Sequence, residues 1–150
     1  MCIRDSNLRQ GLNADLGFDA AGRSENVRRV GEVAKLMTDA GLIAIVALVS
    51  PFRADRLRAA ALLPEGRFLE IFVDAPIDLC RRRDPKGLYE KADQGKVLNL
   101  TGRDQPYEPP DAPGLVLRTA ALTAEQAADR VVELVMSRAD FGTSPNSAAR

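Results

Sequence analysis

The chain has 150 residues, of which 45% are hydrophobic and 28% charged, with no formal net charge and no histidine. This length predicts one domain with a modest core, and the balanced charge argues against a general nucleic-acid or membrane-surface binder. The lack of histidine excludes Ser–His triads and histidine metal sites, and two cysteines, Cys2 and Cys80, provide neither a disulfide framework nor a metal-ligand set.

The apolar pattern predicts helices and strands that alternate, which indicates an α/β domain with a parallel sheet. Residues Met1–Ser6 are too short for a predicted element, and residues 139–150 are predicted to form a flexible tail. The unalternated apolar run Leu42–Val49 is typical of a parallel strand covered on both faces. The predicted elements are a helical turn at Asn7–Asn13, helices at Arg23–Ala40, Arg53–Leu63, after Pro76 and at Thr123–Arg138, and strands at Leu42–Val49, Arg67–Val73 and Gly114–Arg118.

A polar cluster opens the long predicted helix, at the sheet edge where ligands of open α/β sheets bind. At 100° per residue, Arg23 and Asn26 lie on the same helical face as the apolar Val30. Inward polar groups need partners, which are either loop carbonyls at the helix start or an anionic ligand. Arginine and helix N-termini both favour anions, so we favour the ligand.

Two further clusters follow predicted strands or helices at the same edge. Ser50 directly follows the run Leu42–Val49, where an ordinary turn with a serine cap is at least as well supported as a ligand site. The cationic segment Arg81–Lys86 is typical of a solvated face, and it also suits a lid that closes over phosphates. The long irregular segment that follows, Asp84–Pro113, favours the lid.

Blocks of sequence between Asn7 and about Val135 resemble the adenylylsulfate kinase family. The matching blocks are Asn7-Leu8-Arg9, Gly11-Leu12-Asn13, Asp15-Leu16-Gly17-Phe18, Arg23-Ser24-Glu25-Asn26, Ser50-Pro51-Phe52-Arg53, Phe72-Val73-Asp74-Ala75-Pro76, Arg83-Asp84-Pro85-Lys86-Gly87-Leu88-Tyr89 and Pro106-Tyr107-Glu108. The resemblance implies a three-layer, P-loop kinase-like parallel sheet. It also implies transfer of the γ-phosphoryl group of ATP to the 3′-hydroxyl of adenylylsulfate.

The resemblance assigns roles position by position. The implied sulfonucleotide positions are Arg9, Phe18 (stacked on adenine), Arg23, Asn26, Ser50, Lys86 and Leu100, and the implied ATP and lid positions are Arg83, Asp84, Lys86 and Gly87. Ser50 also matches a serine that some members carry in phosphorylated form, and it is the one catalytic candidate. Mg²⁺ with ATP is implied for the intact family, and no metal ligand is predicted here.

The sequence departs from the family pattern at its start and in the lid. It contains no G-x-x-G-x-G-K-[ST] loop to cradle the ATP phosphates and their magnesium ion. The family's Asp-Gly-Asp-Asn reads Arg4-Asp5-Ser6-Asn7, with Asp5 out of register, and Leu100 replaces an aromatic residue. We therefore predict a non-native start at residues 1–6, a kinase domain without its P-loop at 7–138, and a sheet that lacks its first strand. Leu42–Val49 and Arg67–Val73 are then expected to flank a gap instead of pairing.

The predicted function is that of a kinase fragment, inactive as written. The alternative is a non-catalytic module that binds adenylylsulfate or another nucleotide, and a P-loop encoded in frame before Asn7 would favour the fragment. Expected partners are adenylylsulfate and ATP, not nucleic-acid polymers or membranes, in either a homodimer or a fusion with a sulfate adenylyltransferase subunit. No apolar run has transmembrane length and no leader pattern opens the chain, so the expected location is cytoplasmic.

Overall fold

The computed structural model describes residues 1–138, so the predicted tail at 139–150 lies outside the described residues. The strands are β1 (Cys2–Arg4), β2 (Ile45–Ala47), β3 (Ile71–Asp74) and β4 (Leu115–Arg118). The helices are α1 (Asp5–Leu8), α2 (Ala20–Asp39), α3 (Arg53–Ala60), α4 (Ile77–Arg83), α5 (Leu88–Asp93) and α6 (Ala124–Arg138). Within this part of the chain, no helix is both long and apolar enough to span a bilayer.

The strands form two separate parallel pairs. β1 pairs with β2, with Ile3 opposite Val46, and β3 pairs with β4, with Phe72 opposite Val116. Parallel strands connected through helices confirm the predicted α/β class. Because β2 and β3 belong to different sheets, the prediction that they do not pair directly is also confirmed.

The expectation that Met1–Ser6 forms no element is wrong. Cys2–Arg4 is strand β1, and Asp5 begins α1. The backbone N–H of Ile45 donates to the carbonyl of Met1 over 2.7 Å, and the side chain of Ile3 is buried. A segment this short forms a strand because β2 supplies its hydrogen-bonding partners, which a pattern within the segment cannot reveal.

The predicted strand at Leu42–Val49 is shorter and more exposed than expected. Only Ile45–Ala47 has strand geometry, and Ile45 and Val46 are 50% and 39% exposed. The expectation of cover on both faces is therefore wrong. Of the described elements, β1 lies along one edge of β2 and α2 packs against it, which leaves part of the apolar run in solvent.

The start of α2 differs from the prediction, whereas the end of α2 and the start of α6 lie where they were predicted. α2 starts three residues before the predicted Arg23, because the Asp19 carboxylate accepts a hydrogen bond from the Gly22 N–H over 2.7 Å. It ends before Gly41, whose φ of +81° is the left-handed conformation expected of a glycine stop. At α6, Thr123 and Gln126 exchange backbone-to-side-chain hydrogen bonds of 3.0 and 3.2 Å, which form a capping box at the predicted start of the helix.

Candidate functional site

The N-terminal end of α2 carries buried polar side chains on its apolar face. Arg23 is 7% exposed and Asn26 2%, and both share this face with Val30, which is also 2% exposed. The helical-face prediction for these residues is confirmed. The core stripe of α2 therefore changes from apolar to polar at the point where the loop from Asp15 to Asp19 reaches the helix.

The guanidinium of Arg23 hydrogen-bonds to the loop before α2 and to a distant segment of the chain. Its Nε donates to the carbonyl oxygen of Phe18 at 3.0 Å and to Oε1 of Gln105 at 3.1 Å, while Nη2 donates to the carbonyl oxygen of Asn99 at 2.8 Å. The contact with Phe18 is the loop-carbonyl alternative that the sequence left open. The other two contacts join α2 to the predicted lid, the segment from Asp84 to about Pro110.

Arg9 and Phe18 lie beside Arg23. The guanidinium carbon of Arg9 is 4.2 Å from the centre of the Phe18 ring, and that of Arg23 is 5.7 Å from it. Arg9 is anchored through Nε to Asp5 at 3.1 Å and through Nη1 to the carbonyl of Leu16 at 3.1 Å. Phe18 remains 53% exposed, so its ring offers surface for stacking. We call Arg9, Phe18, Arg23 and Asn26 the α2 cluster.

The α2 cluster is an electropositive position. Burial, reinforced by the charge of Arg9 and partly offset by Asp5, lowers the pKa of the Arg23 guanidinium. Both the loss of hydration and the repulsion by Arg9 destabilise the charged form of Arg23. A bound anion would offset both effects, so the cluster favours an anionic ligand. The four side chains thus provide two guanidinium groups, an amide and an aromatic ring for an anionic ligand with a planar part.

Two residues of this site were missed or set aside in the sequence. Asn13 is fully buried, and its Nδ2 donates to Oδ1 of Asn26 at 2.9 Å. Asp5 accepts from Nδ2 of Asn26 at 2.9 Å. Asn13 stood within a matching block of the resemblance, but no periodicity marks a turn residue as buried. Asp5 is out of register with the family pattern and still reaches the cluster through α1.

Ser50 lies outside the α2 cluster, where the Arg56 side chain joins three segments of the chain. Within residues 1–138 the Ser50 hydroxyl is buried and has no hydrogen-bond partner, while its carbonyl accepts from Nη1 of Arg56 at 2.7 Å. The same guanidinium donates to the Glu70 carboxylate at 2.6 Å and to the carbonyl of Glu108 at 2.7 Å. Ser50 is therefore fixed by its backbone, at the point where the end of the lid meets α3.

The predicted lid residues have partners outside the α2 cluster. Arg83 donates to the carbonyl of Thr119, 36 residues away, at 2.7 Å. The Asp84 carboxylate accepts the first backbone N–H groups of α5, from Leu88 at 2.7 Å and from the next two residues. Gly87 precedes α5 with a φ of +61°, and Lys86 is exposed. Leu100 is half-buried in a tight turn with Thr101 and Gly102, so these residues do not join the α2 cluster through the described hydrogen bonds.

The carboxylate beside the α2 cluster does not fit a magnesium site. Magnesium favours free carboxylate oxygens and water in octahedral geometry. Both oxygens of Asp5, the carboxylate nearest to the α2 cluster, are engaged, one by Arg9 and one by Asn26. Over residues 1–138, no group of three or more His, Cys, Asp or Glu side chains is placed to hold a metal ion.

The chain resembles known proteins over most of its length. A family model described as adenylylsulphate kinase matches residues 2–118. The bifunctional enzyme NodQ of Azospirillum brasilense is 61% identical over 135 residues, or 90% of this chain and 22% of that protein. An adenylyl-sulfate kinase of Acaryochloris marina is 49% identical over 136 residues, or 91% of this chain and 66% of that protein. The chain thus spans about a fifth of the first relative and just under two thirds of the second.

A solved structure has the same arrangement. The APS kinase of Mycobacterium tuberculosis, solved in complex with AMPPNP and APS, superposes with a TM-score of 0.84 at 40% sequence identity. The match covers 90% of this chain and 79% of that one.

Proposed function

The chain belongs to the adenylylsulfate kinase family, and from that premise we propose that its α2 cluster binds adenylylsulfate, the acceptor for the γ-phosphoryl group of ATP. The observation that carries the proposal is the convergence of Arg9 and Arg23 on the Phe18 ring, beside the buried amide of Asn26. Adenylylsulfate has the matching chemistry, because it joins a planar adenine to a phosphosulfate anion.

In the proposed complex each member of the cluster has one task. Phe18 stacks on the adenine, since more than half of its surface is free. Arg9 and Arg23 bind the phosphosulfate oxygens through their guanidinium N–H groups. Asn26 donates from its amide to a ligand oxygen. The lid, through Lys86 and Leu100, closes over the bound nucleotide, and the contacts of Arg23 with Asn99 and Gln105 hold it near the site.

We further propose that these 150 residues do not catalyse phosphoryl transfer by themselves. Catalysis of this reaction depends on positioning and electrostatic stabilisation of the phosphates. The sequence has no G-x-x-G-x-G-K-[ST] loop, and the carboxylate oxygens of Asp5, beside the α2 cluster, are already bonded to Arg9 and Asn26. We expect no ATP-dependent phosphorylation of adenylylsulfate by the purified chain. Turnover by the purified chain would contradict this proposal, whereas recovery on adding a family-type N-terminal segment would support it.

The kinase interpretation is better supported than the non-catalytic binding module. Relatives that cover about nine tenths of this chain carry the kinase name. A fusion with a sulfate-activating enzyme, one of the two predicted arrangements, is supported by relatives described as bifunctional enzymes. The predicted homodimer stays a prediction.

The test of the binding site is calorimetric titration of the chain with adenylylsulfate. We expect Arg23→Ala to weaken binding at least about tenfold, or 1.4 kcal/mol, because it removes a charged hydrogen-bond donor. Arg28→Ala is the matched control, since Arg28 lies on the exposed face of α2 and pairs with Glu25. A sharp fall in melting temperature with unchanged affinity would mean that Arg23 only secures the start of the helix.

A further inference from the structure

Asn13 is the most completely enclosed polar side chain beside the α2 cluster. It has no exposed surface, and its backbone N–H donates to the carbonyl of Leu8 at 2.8 Å, which fixes the turn after α1. Its side chain points across to α2, where Nδ2 donates to Oδ1 of Asn26 at 2.9 Å. The turn is thereby bonded to the helix through one pair of amides.

The hydrogen bonds run in one direction, from Asn13 through Asn26 to Asp5. A carboxylate can only accept, so Nδ2 of Asn26 faces Asp5, with a separation of 2.9 Å. Oδ1 of Asn26 then faces Asn13, which has to offer its own Nδ2. Rotating the Asn26 amide by 180° would place donor against donor at Asn13 and acceptor against carboxylate at Asp5.

This arrangement leaves one buried acceptor unsatisfied. Oδ1 of Asn13 has no hydrogen-bond partner among residues 1–138. A buried acceptor without a partner opposes folding, and such groups in native proteins call for a reason. An aliphatic side chain would avoid that cost, but it could not donate to Asn26. Because Asp5 sets which way the Asn26 amide faces, the structural gain from Asn13 is a second hydrogen bond that holds the amide in that orientation.

We propose that Asn13 is a positioning residue that, together with Asp5, holds the amide of Asn26 in this orientation, so that the Nδ2 hydrogen not taken by Asp5 is left for the ligand. The Nδ2 end of the amide lies beside Asp5, which also holds Arg9, and so on the side where the cationic groups converge. In this orientation Asn26 favours an acceptor oxygen on the ligand at this position. The identity of the ligand rests on the proposed function, whereas the orientation of the amide does not.

The first experiment is a double-mutant cycle on adenylylsulfate binding, measured by calorimetry with the full 150-residue chain. We expect Asn13→Ala to weaken binding about tenfold and to have no further effect in an Asn26→Ala background, because Asn13 acts through Asn26. Gln10→Ala, an exposed amide in the same turn, is the matched control and should leave affinity unchanged. Losses that simply add in the double variant would overturn the proposal.

The second experiment needs no ligand. Asn13→Asp has nearly the same shape but only accepts hydrogen bonds, so it should draw Nδ2 of Asn26 toward itself. In the ¹⁵N spectrum of the free chain, the side-chain NH₂ resonances of Asn26 should shift, while those of the exposed Asn7 should not. Unchanged Asn26 resonances would overturn the positioning role. A shift in a chain that binds no adenylylsulfate would support the positioning role and count against the proposed function alone.

Discussion

Gly22, in the first turn of α2, has no room for a side chain. A Cβ at this position would lie 2.6 Å from the carbonyl oxygen of Gly17 and 2.9 Å from its carbon, both backbone atoms. We expect Gly22→Ala to lower the free energy of unfolding by about 1–3 kcal/mol, since strain outweighs the helix-propensity gain of about 1 kcal/mol. Urea titration measures the change.

Gly31, in the same helix, is the control for Gly22. A Cβ there would lie 3.1 Å from Cδ1 of Leu62, a methyl group at the end of a flexible side chain, and at ordinary contact distances of 3.6 and 3.8 Å from Cβ and Cα of Ala59. We expect Gly31→Ala to be neutral or stabilising, because the Leu62 rotamer can adjust and alanine favours the helix. Equal effects of the two substitutions would show that the Gly17 backbone yields as easily as the Leu62 side chain.

At the level of single residues, the sequence predicted the placement of side chains whose position is set by helical geometry. Arg23 and Asn26 could be placed inward, because the 3.6-residue period fixes the face on which a helical residue lies. The lid partners of Arg23, Asn99 and Gln105, lie 76 and 82 residues away in the chain, and no local pattern connects them. Their contact depends on how the lid folds back, which only the structure describes.

The α2 helix is joined to the preceding loop by an exposed ion-pair network. Arg28 and Arg29 hydrogen-bond to the Glu25 carboxylate and hold its pKa at about 2, below the ordinary 4.5. Arg29 also bonds to Asp15 at 2.7 Å and lowers the pKa of that carboxyl group. A depressed pKa means that the ionised group stabilises the fold above its unfolded pKa, and that this contribution is lost as the pH falls through the folded pKa.

We therefore expect Glu25→Gln to lower the melting temperature at pH 7 and to converge with the unmodified chain as the pH falls from 4.5 to about 2. The difference should be small and should shrink further in salt, because the pairs are exposed. Glu32→Gln, whose carboxylate is 3.9 Å from Arg28, should have a weaker effect. A difference that persists unchanged at pH 2 would assign the effect to packing.

The lid is predicted to be the least ordered internal segment when no nucleotide is bound, since few of its residues are apolar. We expect rapid amide exchange across Asp84 to about Pro110, slowing on addition of ligand. Arg23→Ala should accelerate exchange around Asn99 and Gln105 but not in α5, whose first turn is held by Asp84. Uniform protection of the lid in the ligand-free chain would contradict this expectation.

Across the whole molecule, element types were predicted better than strand lengths. The start of helix α6 could be predicted because Thr123 and Gln126 form a local capping signal. The apolar run Leu42–Val49 carried no such signal, and its exposure depends on which layers cover β2. Strand β1 could not be predicted, because a three-residue strand depends on its partner more than on its own sequence.

The exposed apolar side chains of β2 and β3 predict self-association. Ile45 is 50% exposed and Val73 62%, and the two strands belong to separate two-stranded sheets. Each strand of a two-stranded sheet has one unpaired edge, and unpaired edges with exposed apolar side chains favour pairing between chains. We expect Val46→Lys to raise the soluble concentration and change the free energy of unfolding by less than about 0.5 kcal/mol, because Val46 is itself 39% exposed.

Val30→Ala is the matched comparison for Val46→Lys. Val30 is only 2% exposed, so its truncation should cost about 2 kcal/mol and leave solubility unimproved. Light scattering and urea titration separate the two quantities. A chain that stays monomeric at high concentration without Val46→Lys would show that the apolar surface of β2 does not drive association.

The junction at Arg56 has a consequence for the rates of folding and unfolding. Its guanidinium joins segments that lie 6, 14 and 52 residues away, at Ser50, Glu70 and Glu108. The contact with Glu108 requires closure of a long loop, so it should form after the transition state for folding. Interactions that form so late slow unfolding while leaving the folding rate almost unchanged. We therefore expect Arg56 to lengthen the lifetime of the folded chain more than it speeds its formation.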